Sequence, residues 1–129
     1  MAPIRGIERQ LWICGRPWTV AFQAADLISG GAVIFADCDD KALLMRVGGN
    51  MHRAQQRSSL YHEWFHACIS IAGGKALSDM PDKEEGFVRA LETAAYDSWR
   101  DPRNEWFRRF ILETDESLIP LKGWENLTE

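Results

Sequence analysis

The chain has 129 residues, enough for one domain with a hydrophobic core and too few for two ordinary domains. Hydrophobic residues make up 46% and charged residues 26%, which excludes the disordered, collagen-like and coiled-coil classes. The net charge of −4 argues against broad binding of nucleic acid or anionic membranes. Since there is neither a membrane-length apolar run nor a signal-peptide pattern, we expect one cytoplasmic domain.

Three cysteines, Cys14, Cys38 and Cys68, are spread along the chain. Their odd number and wide spacing fit neither a disulfide framework nor a cysteine-rich zinc site. We therefore expect all three to be buried thiols.

The first 50 residues have the pattern of strands. Residues 11–14 and 18–22 are apolar and flank Gly15, Arg16 and Pro17, which predicts a hairpin. Further strands are predicted over residues 32–36 and 43–47, separated by a polar turn at residues 37–40. Because the connections are too short for helical crossovers, we expect a mostly antiparallel sheet of three or four strands.

Residues 51–112 have the pattern of helices. Leu60, Trp64, Ala67 and Ile71 form an apolar stripe at helical spacing that ends at two glycines. A second helix is predicted from Pro81 to the Asp101–Pro102 step, and a third over residues 104–112. Residues 113–129 contain scattered apolar residues and a proline, and we expect them to pack as an irregular arm of the same domain.

The first helix contains His62-Glu63-Trp64-Phe65-His66, a His-Glu-x-x-His motif. Residues four apart lie on one face of a helix, so both imidazoles can bind one Zn²⁺ ion. Glu63, one residue after the first ligand, would act as the general base on a water that zinc activates.

Chance is a weak explanation of the motif, since this composition gives about 0.005 expected matches. Ionisable groups on a buried helix also need a partner, and a metal would supply one. The alternative is that both histidines are core residues hydrogen-bonded to the backbone.

A catalytic zinc site needs a third protein ligand. Ile69 and Ala72 stand where the longer metzincin motif requires glycine and histidine, which excludes that class. The candidates are Glu84 and Glu85 at the start of the second helix. A helical wheel places Glu84 with the apolar residues and Glu85 about 100° away, and both could instead simply favour the helix N-terminus.

The motif, the string Glu-Glu-Gly-Phe-Val-Arg-Ala-Leu-Glu at residues 84–92 and the early Gly-Arg-Pro-Trp-Thr-Val hairpin resemble a group of small phage and prophage proteins. The resemblance implies an α+β fold of the minimal zincin type, with a small, mostly antiparallel sheet packed on two main helices. It implies gluzincin-like ligation, with Glu85 as the third ligand, and a strand beside the motif helix that is free to pair with an extended peptide. Trp64 and Phe65 depart from the aliphatic pair common inside such motifs.

The sequence therefore favours a zinc-dependent hydrolase of the metallopeptidase type, acting on a peptide or protein. The alternative is a non-catalytic protein of the same fold that binds and regulates or inhibits a partner protein. A nucleic-acid function is less favoured, because the arginines near the third helix are interleaved with acidic residues. These are Arg100, Arg103, Arg108 and Arg109.

Three other residues are assigned no part in the metal site. His52 is expected to be an exposed loop histidine rather than a ligand. Tyr61 points about 100° away from its neighbour His62, which predicts a packing role. Tyr96 lies about 16 Å along the helix from Glu85, too far to share its metal.

Overall fold

The computed structural model describes residues 7–49, 51–73 and 84–112, which form an α+β fold. The helices pack against one face of a small mixed sheet. The strands are β1 (Ile7–Ile13), β2 (Arg16–Phe22), β3 (Leu27–Ser29), β4 (Ala32–Ile34), β5 (Ala36–Asp39) and β6 (Leu44–Val47). The helices are α1 (Arg53–Ile71), α2 (Glu84–Arg100) and α3 (Glu105–Ile111), with a 3-10 turn at Pro102–Asn104.

The β1–β2 hairpin turns at two residues, Cys14 and Gly15, which have φ of 50° and 77°. Two consecutive positive φ angles give a turn whose twist matches that of the strands. The predicted turn was therefore too long, since Arg16 and Pro17 already belong to β2. Cys14 is exposed in this turn and Cys38 is half-buried, so the expectation of three buried thiols is correct only for Cys68.

The main sheet has the strand order β1-β2-β6-β5. β1 pairs with β2, and β5 with β6, in antiparallel fashion, whereas β2 and β6 are parallel. β2 and β6 can be parallel because three strands, β3, β4 and β5, lie between them in the chain. These strands bring the chain back so that β6 runs in the same direction as β2. The sheet is therefore mixed, with the antiparallel pairs in the majority.

Residues 37–40 are not the predicted turn, because most of them lie in β5 at one edge of the sheet. Asp37 is opposite Arg46 of β6, and the two side chains form an ion pair whose Nε–Oδ1 distance is 2.9 Å. This pair offsets the low strand propensity of aspartate. Ala36 and Cys38 alternate with the aspartates and contact the core.

The core lies between the sheet and the helices. β2 contributes Trp18, Val20 and Phe22, and α1 contributes Leu60 and Trp64. Ile71, the last residue of the predicted apolar stripe, is instead exposed. Within the described residues, each helix is too short or too polar to cross a lipid bilayer.

A buried asparagine covers the β1 edge of the sheet. The Asn104 side chain accepts a hydrogen bond from the Trp12 N–H at 2.7 Å and donates one to the Trp12 carbonyl at 2.7 Å. The Trp106 indole donates to the carbonyl of Gln10 at 2.8 Å. This edge is thereby protected from pairing with another chain.

Asp101 caps the 3-10 turn by accepting a hydrogen bond from the Arg103 N–H at 2.9 Å, and its carboxylate also pairs with the Arg103 guanidinium. These bonds to Arg103 hold the pKa of Asp101 below its ordinary value. A lowered folded-state pKa means that this stabilisation is present above the unfolded pKa and disappears as the pH falls through the folded one.

We expect Asp101→Asn to lower the free energy of unfolding at pH 7 by about 0.2–1 kcal/mol, because asparagine keeps the cap and loses only the partly exposed ion pair with Arg103. The difference from wild type should shrink as the pH falls below about 4, the usual pKa of aspartate. Urea unfolding at several pH values measures this. A difference that is constant from pH 7 to pH 2 would contradict the assignment.

Candidate metal centre

The two histidines of the motif face each other on the exposed side of α1. The Nε2 atoms of His62 and His66 are 3.1 Å apart, and the ring centroids are 4.7 Å apart. Both side chains are exposed, so the alternative that they are core residues bonded to the backbone is wrong, and the expectation that burial requires a partner does not apply to them. The case for a metal therefore depends on geometry rather than on the cost of burying imidazoles.

The separation of the two nitrogens fits one zinc ion. Two nitrogens bound to tetrahedral zinc at the usual bond length lie about 3.3 Å apart. The carboxylate of Glu63 completes a group whose ligand atoms all lie within 4.8 Å of one another. Two imidazole nitrogens and a nearby carboxylate are a donor set suited to zinc.

Glu63 is the buried member of the group, with 6% of its surface exposed. Burial raises the pKa of its carboxyl above the ordinary value, and the nearby His66 and His62 oppose the shift. No described residue donates a hydrogen bond to this carboxylate. Its carboxylate oxygens are not among the fully buried polar atoms that lack a partner, and the residue lines a cleft, so a cation or a proton donor can reach it there.

Glu63 and His66 line an open cleft of about 490 Å³ between α1 and β5. Ala36, Asp37 and Cys38 of β5 form the opposite wall. Burial and the neighbouring Glu63 raise the pKa of the Cys38 thiol to about 12, which leaves it protonated at neutral pH. Cys38 is therefore a wall residue of the cleft rather than a thiolate.

The open edge of β5 faces the region of this cleft. The Gly48 N–H donates to the Phe35 carbonyl at 2.8 Å. In an antiparallel pair every second residue bonds to the neighbouring strand, so Phe35 and Asp37 bond on the β6 side. Alternation then directs the backbone N–H and C=O groups of Ala36 and Cys38 away from β6. Within residues 7–49, 51–73 and 84–112, no strand pairs with them.

Glu84 and Glu85 are the first two residues of α2, and their side chains lie outside the described part of the structure. The start predicted at Pro81 is outside it as well. Helical geometry puts position 85 on the stripe of Glu92, Tyr96 and Trp99, at about two, three and four turns. The last three line a groove against α1.

Trp64 and Phe65, the two residues between the motif glutamate and His66, have different surroundings. Trp64 is buried in the core, and its indole donates to the Ser98 hydroxyl at 3.0 Å. Phe65 is half-buried and packs against the rings of Tyr61 and Trp64. Trp64 is thus accommodated by packing against α2, and Phe65 by packing against its neighbours on α1.

The remaining candidates lie outside the group formed by His62, Glu63 and His66. His52 is exposed at the N-cap of α1. Tyr61 packs against Trp64 and Phe65 and is 42% exposed. The arginines near α3 have acidic partners: Arg100 pairs with Asp97, Arg103 with Asp101, and Arg109 with Glu105.

Sequence reasoning missed the β5 wall, because the run Asp37-Cys38-Asp39-Asp40 has the composition of a turn. One signal could have revealed it: Asp37 and Asp39 alternate with apolar Ala36 and with Cys38, as in an edge strand with one buried face.

Comparisons of this chain with protein-family models, with curated proteins and with solved structures found no match.

Proposed function

We propose that this chain is a zinc-dependent metallopeptidase of a minimal zincin-like fold, related to the small phage and prophage proteins that it resembles. The observation that carries the proposal is the pair of facing imidazoles, 3.1 Å apart at Nε2, with the buried Glu63 beside them. His62, His66 and Glu85 would hold the ion.

Zinc, when bound, supplies a Lewis acid that lowers the pKa of water and polarises a carbonyl. Glu63 accepts a proton from the attacking water and then donates it to the leaving amine, as in general acid–base catalysis. Burial raises the pKa of this carboxyl in the metal-free chain, and a cation bound beside it would lower that pKa.

An extended peptide would pair with the open edge of β5. The outward backbone groups of Ala36 and Cys38 offer two donors and two acceptors to such a strand. A strand there would lie in the cleft that Glu63 and His66 also line. The contrast with β1 supports this choice, since Asn104 covers the other edge of the sheet.

Glu85 is preferred to Glu84 as the third ligand. Position 85 is on the stripe of Glu92, Tyr96 and Trp99, and position 84 is on the stripe of Leu91, Ala95 and Ser98. Both stripes contact α1, because Trp99 packs on Trp64 and Ser98 accepts a hydrogen bond from the Trp64 indole. The preference for Glu85 therefore rests on the family resemblance.

The test is the zinc content per chain of protein purified without added metal. Wild type should hold about one zinc, and His62→Ala and His66→Ala should each lower its affinity by more than tenfold, because each removes a ligand. Glu85→Ala should do the same and Glu84→Ala should not.

His52→Ala is the matched control, since His52 is the third histidine of the chain and lies outside the group. It should hold as much zinc as wild type. A wild-type chain without zinc after the metal is added back would refute the proposal, and equal zinc in the Glu84 and Glu85 variants would refute the choice of ligand.

A second candidate function, binding and regulating a partner protein without catalysis, is favoured by the β3–β4 hairpin. Ile28 and Val33 are cross-strand partners that are 58% and 59% exposed, and Phe35 is 54% exposed. Clustered exposed apolar residues often form protein contacts. Under this candidate, substitution of these residues costs function and substitution of Glu63 does not.

A further inference from the structure

An aromatic groove lies between α1 and α2, next to the histidine pair. Its volume is about 360 Å³. Tyr61 and Phe65 directly precede His62 and His66 in the chain, so their stripe on α1 adjoins the stripe of the histidines. The groove-lining residues used below are Tyr61, Trp64, Phe65, Glu92, Tyr96 and Trp99.

The rings form connected walls. The ring of Tyr61 is 5.2 Å from that of Phe65 and 5.6 Å from that of Trp64, and Trp64 is 6.2 Å from Trp99. Tyr61 is 42% exposed and Tyr96 is 61% exposed. Large aromatic surfaces left open in this way indicate a binding surface rather than a core.

The charge of the groove selects among ligands. Glu92 is the only acidic or basic residue among those that line it in the described part of the chain. Glu92 is exposed and has no ion pair with a described residue. Aromatic faces are electrically negative and attract cations, so rings and carboxylate favour the same ligand, a cation on an apolar stem.

The chain itself gives an example of this preference. The guanidinium of Arg100 lies 5.1 Å from the centroid of the Tyr96 ring. Its charge is already paired with Asp97 at 3.5 Å, which leaves Glu92 available to a second cation.

We propose that this groove binds the basic side chain of an extended peptide, with the stem of a lysine or arginine on the rings and its charged end at Glu92. The inference rests on the proposed function, because the peptide is the substrate held beside His62 and His66. It names the substrate class: peptides with a basic residue near the cleavage site.

The test uses three small probes on the metal-free chain: Nα-acetyl-lysine amide, Nα-acetyl-arginine amide and Nα-acetyl-norleucine amide. Norleucine keeps the stem and lacks the charge. Binding is followed by NMR through the indole N–H signals of Trp64 and Trp99. The lysine and arginine probes should bind in the millimolar range, and norleucine at least about fivefold more weakly.

Glu92→Gln should weaken the two charged probes about threefold to tenfold and leave norleucine unchanged. Tyr96→Leu should weaken all three. Glu8→Gln is the matched control, since Glu8 is an exposed glutamate on β1, and it should bind as wild type does.

Equal binding of lysine and norleucine, no effect of Glu92→Gln, or no shift with any probe would each overturn the proposal. Choline that binds more tightly than both charged amides would overturn it too, because the ligand would then be a small quaternary ammonium. The zinc content of Glu92→Gln should equal that of wild type. Lysine-amide binding to a chain that never holds zinc would instead refute the proposed hydrolase and retain the cation site.

Discussion

Glu63→Gln is expected to retain zinc and to lose peptide hydrolysis, with kcat lowered by about 10²- to 10⁴-fold. Gln has the shape of Glu but cannot accept the proton of the attacking water. The imidazoles of His62 and His66 are untouched, so the metal should bind as before. The measurement pairs zinc content with the release of new N-termini from an unfolded protein mixture, detected by mass spectrometry.

The metal-free Glu63→Gln chain should be at least as stable as wild type at pH 7. The substitution removes a buried carboxylate that accepts no hydrogen bond from a described residue, and a neutral amide is cheaper to bury. Loss of hydrolysis can therefore be separated from loss of folding by thermal unfolding.

Glu8→Gln serves as the control for a change of charge far from the cleft, and it should cleave as wild type does. Full turnover by Glu63→Gln would refute the role of general base. A wild type that holds zinc and releases no new N-termini would favour the partner-binding candidate.

The parts of the site that depend on local geometry could be predicted from the sequence. His62 and His66 are four residues apart, and any helix brings such residues together. The helix itself was predictable from its apolar stripe and its glycine end, and α1 is observed at Arg53–Ile71. The α+β class followed from the change of period near residue 50.

The parts that depend on distant contacts could not be predicted. The strand β5 forms because Asp37 meets Arg46, nine residues later, and local composition favours a turn there. The parallel pairing of β2 with β6 depends on three intervening strands. The exposure of the two histidines depends on where β5 and α2 flank α1. A helical wheel carries no information about these neighbours.

The choice of third ligand shows the same division. The helical wheel assigned Glu84 to the apolar face, and the structure bears on the question only through the neighbours of the two stripes. Trp99 packs on Trp64, and Ser98 bonds both to the Trp64 indole and to the carbonyl of Trp12. Both stripes thus contact α1, and the choice of Glu85 depends on the resemblance.

Asn104→Ala is expected to lower the free energy of unfolding by about 2–4 kcal/mol. The Asn104 side chain is completely buried and makes three hydrogen bonds of 2.7 Å, to the N–H and carbonyl of Trp12 and to the carbonyl of Ser98. Alanine leaves the Trp12 N–H without its partner and opens a small cavity. Total stabilities of small domains are about 5–15 kcal/mol, so this is a large fraction.

The measurement is urea unfolding followed by tryptophan fluorescence, with Gln10→Ala as the control. Gln10 is an exposed β1 residue whose side chain bonds only to the Thr19 hydroxyl, at 3.4 Å, among the described residues, so its loss should cost less than about 0.5 kcal/mol. Equal stabilities of the two variants would refute the role of Asn104. The same result would weaken the physical reason why β1 is the closed edge and β5 the open one, since Asn104 is the partner of the Trp12 N–H and shares the Trp12 carbonyl with Ser98.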